Sequence, residues 1–333
     1  MTAHPHPGRL TIDIVVPVYN EEQVVAAFHD RLIKVVAPLR HDHDVRLYYV
    51  NDGSSDGTDA ELRKLAAVDA KVTIVELSRH FGHQAALTAG LDLASADVVV
   101  TMDGDGQHPP ELIPEMVALY RAGYDVVLTQ RAAADVPRFK RWTSTAFYRF
   151  LSAVADTPIP AGSADYRLLA RQAVDALGTM REYHRFLRGM VAWAGYRTVI
   201  LPYTEGRRLA GTSKYSLGGM ARLAADATFS FSLIPLRIAL VVGLCFLALA
   251  GAEALYVLSF WLRGRQGVLV PGWSSLMFMV LLVGAALMIA VGLVGIYVGY
   301  IFHEVKRRPI YLLRGVHGRE PDPQPLVGDG SPP

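Results

Sequence analysis

The sequence is poor in cysteine and in net charge. Its 333 residues include one cysteine, Cys245, which excludes an intrachain disulfide and suits a protein whose water-exposed part faces a reducing compartment. The formal net charge is only +2, so the chain lacks the strongly basic field of a nucleic-acid-binding protein, and we expect no nucleic-acid partner. No apolar run precedes the first predicted strand, and we therefore expect no secretory signal peptide.

Charged residues are nearly absent from two long stretches. Glu253 is the only charge in residues 238–262, and residues 274–302 contain none. Each stretch exceeds the ~20 apolar residues that cross a bilayer as a helix. A helix buried in a protein core is the alternative, but such length and purity favour two membrane spans. Gly295 and Gly299 have the spacing of small residues at helix–helix contacts, so we expect a homo-oligomer, with simple helix flexibility as the alternative.

Basic residues precede the first apolar stretch and follow the second, and fewer lie between the two. They are Arg222 and Arg237 before, Lys306, Arg307 and Arg308 after, and Arg263 and Arg265 between. Positive flanks favour the cytoplasmic side of a membrane. We therefore expect a multi-pass protein of the cytoplasmic membrane, with its large N-terminal domain and both termini in the cytoplasm. The two arginines between the stretches argue against this orientation.

Strand and helix patterns alternate through the first part of the chain. The predicted strands are 13–19, 46–52, 72–78, 97–103 and 124–131, and the predicted helices are 21–39, 59–70, 83–95 and 110–123. Thr58 and Glu61 have the spacing of a capping box at the start of the second helix. Such alternation predicts an α/β fold with a mostly parallel, doubly wound sheet, whose ligands bind at the carboxyl ends of the strands.

The same patterns divide the chain into successive segments. We predict a flexible tail (1–10), an α/β domain (11–215) and an interfacial amphipathic region (216–237). These are followed by a first span (238–262), a non-cytoplasmic loop (263–273), a second span (274–302) and a cytoplasmic tail with a disordered end (303–333).

Two carboxylates follow the apolar run of the fourth predicted strand, in the sequence VVVTMDGDGQ. Asp103 and Asp105 alternate, and the glycines between and after them allow both side chains to face one point. Hard oxygen ligands at this spacing suit Mg²⁺ or Mn²⁺, which bind one or two carboxylates together with substrate phosphates. Gln107 could add a carbonyl oxygen. The alternative is a solvated loop, which is less favoured because two other polar clusters end neighbouring strands.

Those two clusters are VPVYNEE after the first strand and NDGSSDGT after the second. Asp52 could accept a hydrogen bond from a nucleobase or a ribose hydroxyl, and Pro17, Tyr19 and Glu21 could line a nucleoside. The alternative reading is that both clusters are turns and helix caps, since Asn, Asp, Gly and Ser are common turn residues.

Taken in order, seven segments resemble those of family-two glycosyltransferases of the polyprenyl-phosphate group, relatives of dolichol-phosphate mannose synthase and of bactoprenol glucosyltransferases. The segments are VPVYNEE, NDGSSDGT, GHQAALTAGLDLASAD, DGDGQHPPELI, SADYRLLAR, RFLRGMVAWAGY and RLAGTSKYSL. The resemblance covers roughly residues 11–310. It implies a GT-A fold, an inverting mechanism, a nucleotide-sugar donor and a polyprenyl-phosphate acceptor at a membrane.

The resemblance also implies roles for individual residues. It gives nucleotide binding to Pro17, Tyr19, Glu21 and Asp52, and binding of the metal and the diphosphate to Asp103, Asp105 and Gln107. Relatives often have Asp-Ala-Asp-Leu-Gln where this chain has DGDGQ, so both carboxylates are kept while glycines replace the residues around Asp105.

Two further groups of residues are predicted to act on the acceptor. The first is a basic group that could bind the phosphates: Arg131, Arg141, Arg207, Arg208 and Lys214, with Ser213 next to Lys214 in the flexible GTSKY loop. The alternative is that these residues form a basic surface that faces solvent or lipid headgroups. Asp165, in SADYRL, resembles an aspartate near the acceptor in relatives, and we predict that it acts with Asp105 in catalysis, as a base or as an orienting group. The alternative for Asp165 is an ion pair with Arg167.

Three other functions compete with a bactoprenol-type transferase using UDP-glucose. A dolichol-type synthase using GDP-mannose often has Ser-Gly-Phe where this chain has SADYRL. A processive polysaccharide synthase carries Gln-x-x-Arg-Trp, but here RFKRW places Arg138 at the glutamine position. An inactive membrane-tethered sensor or scaffold is disfavoured because the candidate carboxylates are all present.

Overall fold

The computed structural model describes residues 8–131, 163–182, 185–204, 234–263 and 272–318. The chain divides into two compact units. The first contains residues 1–153, 157–217 and 309–333, and the second contains residues 154–156 and 218–308. The described residues of the first unit form a sheet flanked by helices, and those of the second form two long helices.

The described strands of the first unit form one eight-stranded mixed sheet. In chain order they are β1 (Thr11–Val18), β2 (Asp44–Asn51), β3 (Val72–Leu77), β4 (Val98–Thr101), β5 (Val126–Arg131), β6 (Ser163–Ala170), β7 (Thr198–Tyr203) and β8 (Leu313–His317). Their order across the sheet is β7-β5-β6-β4-β1-β2-β3-β8. The neighbours β4, β1, β2 and β3 are parallel, as are β5 and β7. The prediction of an α/β fold with a mostly parallel sheet is confirmed.

Two strands run against the others and were absent from the predicted pattern. β6 lies between β4 and β5 and is antiparallel to both, and β8 is antiparallel to β3 at the sheet edge. β6 was not predicted from hydropathy because it contains Asp165 and Arg167. These charged residues would be unfavourable in a buried strand unless they paired with each other. Residues two apart lie on the same face of a strand, and these two form an ion pair.

Six described helices accompany the sheet. They are α1 (Val25–Asp42), α2 (Thr58–Val68), α3 (His83–Leu93), α4 (Ile113–Arg121), α5 (Arg171–Thr179) and α6 (Leu187–Trp193), with a short 3₁₀ helix at Pro110–Leu112 before α4. The buried apolar faces of α1 and α4 pack on the sheet, with Phe28 and Leu32 fully buried among the strand side chains. α5 and α6 lie after residue 131, beyond the region in which alternating strands and helices were predicted.

The predicted capping box at α2 is wrong. The hydroxyl of Thr58, at the start of the helix, donates to Oδ1 of Asp56 at 2.5 Å and accepts the backbone N–H of Glu21 at 2.9 Å. Asp56 accepts the backbone N–H of Thr58 at 3.1 Å. The side chain of Asp56 therefore accepts the backbone N–H of the first residue of α2, and the side chain of Thr58 bonds the helix to the segment that follows β1.

The second unit contains α7 (Ile234–Leu262) and α8 (Trp273–Val305), which contact each other. Within the described residues, one stretch is long and apolar enough to cross a membrane, Leu282–Val305 of α8, with a mean hydropathy of 2.3. α7 coincides with the other predicted span, but its crossing stays a prediction. Residues 216–233 of the predicted interfacial region and 264–271 of the predicted loop lie outside the described residues.

After α8 the chain returns to the first unit. The backbone N–H of Ser78 donates to the carbonyl of Leu312 at 2.8 Å, and β8 then pairs with β3. The hydroxyl of Tyr311 donates to Asp92 on α3 at 2.9 Å. Part of the segment predicted to be a tail therefore belongs to the sheet.

Candidate active site

The carboxyl ends of β1, β2 and β4 meet at one edge of the sheet. β1 is parallel to both neighbours, and the backbone N–H of Asp52 donates to the carbonyl of Val18 at 3.0 Å. Gly104 lies so close to β1 that an added Cβ would be 3.1 Å from Cγ1 of Val18. The structure thus brings the segments after these three strands together, as the parallel pattern predicts.

Asp52 is buried and organises the turn before α3. Its Oδ1 accepts the backbone N–H of Phe81 at 2.7 Å, and its Oδ2 accepts that of Gly82 at 2.9 Å. Nδ1 of His80 lies 2.9 Å from Oδ2. The carboxylate of Asp52 therefore holds the residues that lead into α3, and its predicted contact with a nucleotide stays a prediction.

Asp103 is held by two histidines. Nε2 of His83, in the first turn of α3, donates to Oδ1 of Asp103 at 2.8 Å. The backbone N–H of Asp103 donates to Nδ1 of His108 at 2.9 Å. His108 is buried and stacks on the ring of Tyr166, whose hydroxyl donates to the carbonyl of Pro109 at 2.8 Å. The backbone and the carboxylate of Asp103 are therefore both fixed.

This arrangement keeps Asp103 negatively charged. Burial disfavours the charged forms of both His83 and Asp103, but their mutual attraction is stronger. It raises the pKa of His83 to about 9 and lowers the pKa of Asp103 to about 2. Burial lowers the pKa of His108, so this ring is neutral at pH 7 and can accept the N–H of Asp103. The charges of Asp103 and Asp105 favour the protonated ring and partly offset the effect of burial on the pKa of His108.

The loop that carries Asp105 is braced from two directions. Oδ1 of Asp105 accepts the backbone N–H of Gln107 at 3.0 Å across Gly106, whose φ of 82° favours glycine. Nη1 of Arg31, on α1, donates to the carbonyl of Gly106 at 3.3 Å. Glu111 accepts two hydrogen bonds from the same guanidinium, at 2.9 and 2.8 Å.

Asp165 is buried between two guanidinium groups and an amide. Arg188, on α6, donates through Nε to Oδ1 at 3.1 Å and through Nη2 to Oδ2 at 2.8 Å, and Arg167 also donates to Oδ1. Nε2 of Gln84 lies 3.5 Å from Oδ2. Burial opposes the ionisation of Asp165, but Arg188 and Arg167 outweigh it and hold its pKa well below the usual range. The ion pair with Arg167, which was the alternative to a catalytic role for Asp165, is present together with a second arginine, and the catalytic role stays a prediction.

The remaining predicted residues lie around this edge or outside the described residues. Pro17 is buried in β1, the ring of Tyr19 stacks on His80 with a centroid distance of 4.0 Å, and the backbone of Glu21 bonds Thr58. Arg131 is exposed at the end of β5, and its charge acts on His108. Arg141, Arg207, Arg208, Ser213 and Lys214 lie outside the described residues.

Apart from Arg167, the sequence analysis singled out none of the side chains that hold Asp103 and Asp165. His83, Gln84, His108 and Arg188 were only letters within quoted segments. A usable signal existed for the first two, because α3 follows a parallel strand and its first turn must therefore lie at the carboxyl edge of the sheet. No comparable signal marks Arg188, which reaches Asp165 from α6, a short helix that follows another helix and not a parallel strand.

The carboxylates suit a divalent cation whose coordination is completed by a substrate. Within the described ranges, no group of three or more His, Cys, Asp or Glu side chains has the arrangement of a metal cage. Asp103 and Asp105 instead offer hard oxygen atoms on a partly exposed loop. That donor set is the one that Mg²⁺ and Mn²⁺ use when substrate phosphates supply further ligands.

Comparisons with known proteins agree with the motifs. The family model described as Glycosyl transferase family 2 matches residues 13–187. The uncharacterized glycosyltransferase YkcC of Bacillus subtilis is 38% identical over 92% of this chain and 94% of its own length. The bactoprenol glucosyl transferase of Shigella phage SfII is 33% identical over 94% of this chain and 100% of its own length.

Among solved structures, the mannosyltransferase PcManGT of Pyrobaculum calidifontis, in complex with GDP-Man and Mn²⁺, is 18% identical, with a TM-score of 0.44 over 86% of this chain and 87% of its own. The family match spans more than half of the present sequence, and the curated relatives align with nearly all of it. The resemblance inferred from the motifs is confirmed, and the chain belongs to glycosyl transferase family 2.

Proposed function

We propose that this glycosyltransferase moves a sugar, with inversion, from a nucleotide-sugar to a polyprenyl phosphate such as undecaprenyl phosphate. UDP-glucose is the first candidate donor. The observation that carries the proposal is the full-length similarity to proteins named bactoprenol glucosyl transferase, which extends through the apolar C-terminal part of the chain. The carboxylate-lined edge of the sheet supports it, because that is where an α/β sheet binds ligands.

On the donor side, Asp103 and Asp105 are the residues that would hold Mg²⁺ or Mn²⁺, with Gln107 as a further candidate ligand. The bound ion would neutralise the charge that develops on the departing nucleoside diphosphate, so that no protonating acid is needed. Tyr19 and Pro17 would line the nucleoside together with Glu21. Asp52 would support the donor site by holding the turn before α3, whose backbone N–H groups it accepts.

On the acceptor side, Asp165 would orient the acceptor and would not act as a base. An acceptor phosphate is already an anion at neutral pH, so its attack on the sugar requires no strong base. A carboxylate whose pKa is held low by two guanidinium groups is also a poor proton acceptor. Arg188 and Arg131 are described cations near this region, and Arg141, Arg207, Arg208, Ser213 and Lys214 remain candidates for phosphate binding.

A membrane location follows from the acceptor and is supported by α8. Each CH₂ of a polyprenyl tail loses ~0.8 kcal/mol when it leaves an apolar environment, so the lipid should stay in the bilayer while only its phosphate reaches the enzyme. The stretch Leu282–Val305 is long and apolar enough to anchor the protein there. The basic residues that follow it favour the cytoplasmic leaflet.

The sheet supports an even number of membrane crossings. β7 and β8 belong to the same sheet, although α7 and α8 lie between them in the chain. A chain that leaves a sheet and returns to it must begin and end its excursion on one side of a membrane. A crossing by α8 therefore requires a second crossing, which α7 would supply.

A panel of donors tests the proposal. Membranes that contain the full chain would be incubated with undecaprenyl phosphate and labelled UDP-glucose, other UDP-sugars or GDP-mannose, and the lipids extracted into organic solvent. We expect extractable label from UDP-glucose, and none from membranes with the Asp105→Asn variant. Label from GDP-mannose alone would favour the dolichol-type alternative, and no label from any donor would favour the inactive scaffold.

A further inference from the structure

We propose that His83 is a positioning residue that holds the carboxylate of Asp103 in the orientation required to bind the divalent cation. The inference rests on the proposed function, because it concerns the cation assigned to Asp103 and Asp105. It starts from the geometry of the segment His80–Gln84, which we call the α3 entry segment.

The α3 entry segment contacts three of the four candidate aspartates. Phe81 and Gly82 donate backbone N–H groups to Asp52, His83 donates to Asp103, and Gln84 approaches Asp165. Asp52 follows β2, Asp103 follows β4 and Asp165 lies within β6, so the three carboxylates are far apart in the chain. One short segment therefore sets their relative positions.

Within this segment, His83 makes the contact that bears on the cation. Its Nε2 engages Oδ1 of Asp103, whereas Oδ2 of Asp103 makes no hydrogen bond to a residue that the structure describes and lies 3.7 Å from Nδ1 of His108. One carboxylate oxygen is thus fixed and the other is available for a ligand. Hydrogen bonds from neighbouring side chains commonly orient the carboxylates that bind metals.

The position of His83 is itself well determined. It begins α3 directly after Gly82, whose φ of 104° is a conformation that favours glycine. Nδ1 of the His83 ring lies 3.4 Å from Nε2 of Gln84, and Oε1 of Gln84 accepts the backbone N–H of Leu187 at 3.2 Å. The side chain of Gln84 therefore lies against the edge of the imidazole away from Asp103 and is itself held by the backbone of α6.

The test measures cation binding directly. Binding of Mn²⁺ to the full chain in detergent, with UDP present, would be followed by electron paramagnetic resonance for wild type, His83→Ala and His83→Gln. We expect His83→Ala to weaken Mn²⁺ affinity by about 10-fold, the lower end of the range for lost support of a metal ligand. His83→Gln should restore affinity close to wild type, because the amide nitrogen can replace Nε2 as donor.

A matched control and a kinetic readout separate positioning from folding. His41→Ala, on the exposed end of α1, should leave Mn²⁺ affinity unchanged. In His83→Ala, raising the Mn²⁺ concentration should recover most of kcat, which a merely unfolded variant would not do. If His83→Ala fails to fold, the comparison of His83→Gln with His83→Leu replaces it.

The outcomes distinguish this inference from the proposed function. Wild-type Mn²⁺ affinity in His83→Ala, or a failure of His83→Gln to restore it, would overturn the role of His83 alone. A wild-type protein that transfers sugar to lipid without binding Mn²⁺ would overturn the cation assignment and leave the transfer reaction intact.

Discussion

At the scale of single residues, Asp165 is the most strongly constrained charge of the candidate site. It is a buried carboxylate that accepts hydrogen bonds from Arg188 and Arg167. Its pKa lies below the usual range, so the stabilisation from these contacts is fully present above the ordinary aspartate pKa and is lost only as the pH falls through the lower, folded value. Asp165 should therefore stay ionised and add no limb to a pH–activity profile near neutrality.

Removing this charge should destabilise the fold. Asp165→Asn leaves two guanidinium groups without their buried counter-charge, and we expect the free energy of unfolding to fall by about 3 kcal/mol. Asp175→Asn is the matched control, because Asp175 pairs with Arg171 on the surface of α5, where such a pair contributes about 0.5 kcal/mol. Urea unfolding followed by circular dichroism compares the two, and equal losses would contradict the prediction.

The residues of the site were predictable to different degrees. Asp52, Asp103 and Asp105 could be found because polar residues that end buried strands of a parallel sheet must share one edge. Asp165 came only from the family resemblance, since its strand was not recognised. His83 could have been placed at this edge from its position at the start of α3, but its bond to Asp103 could not, because a hydrogen bond between distant positions depends on side-chain geometry that no periodicity encodes. The same holds for Arg188, whose position carried no signal.

At the scale of elements, α3 links the site to the rest of the sheet. Its first turn carries His83 and Gln84, its middle packs on β1 and β2, and Asp92 near its end accepts hydrogen bonds from Tyr311 and from Arg181 at 2.7 Å. Gly90 permits this close packing, because an added Cβ would collide with Cγ1 of Val15 and lie 3.1 Å from Cγ2 of Val50.

A pair of glycine substitutions tests the packing of α3. Gly90→Ala should destabilise the protein by about 1–3 kcal/mol, because the extra methyl group forces α3 away from the sheet. Gly178→Ala, in α5, should instead stabilise by up to about 1 kcal/mol, since nothing lies within 4 Å of the added Cβ and alanine favours helix. Thermal unfolding of both variants checks the signs, and a neutral Gly90→Ala would show that the contact is not tight.

The pattern of elements was predictable where the chain is regular. The first five strands and four helices have hydrophobic periodicities of the expected type, and the structure contains an element at each. β6 was missed because its charges are neutralised by pairing, which hydropathy cannot register. β8 was missed because it is a short edge strand whose partner, β3, lies more than two hundred residues earlier.

At the scale of the whole molecule, the α/β unit is completed by residues that follow α8. β8 covers the outer edge of β3, and its Arg314 and His317 lie 3.3 and 3.5 Å from the carboxylate of Glu76, which also pairs with Arg63. The predicted boundary of this domain at residue 215 therefore omits one of its strands.

Two truncations test the contribution of β8. A chain that stops after Arg308 lacks β8 and exposes the edge of β3, so we expect aggregation and a lower melting temperature. A chain that stops after Gly318 keeps β8 and should behave as the full chain does. Size-exclusion chromatography in detergent and thermal unfolding compare them, and identical behaviour of both truncations would refute a structural role for β8.

The late position of β8 also affects how the protein is made. A ribosome synthesises β3 early and β8 only after α7 and α8, so the edge of β3 has no partner while those two helices are being made. An open strand edge can pair with another chain. Under the proposed membrane location, the apolar segments insert before the sheet is completed, and delayed insertion prolongs the interval in which unfinished copies can associate with one another.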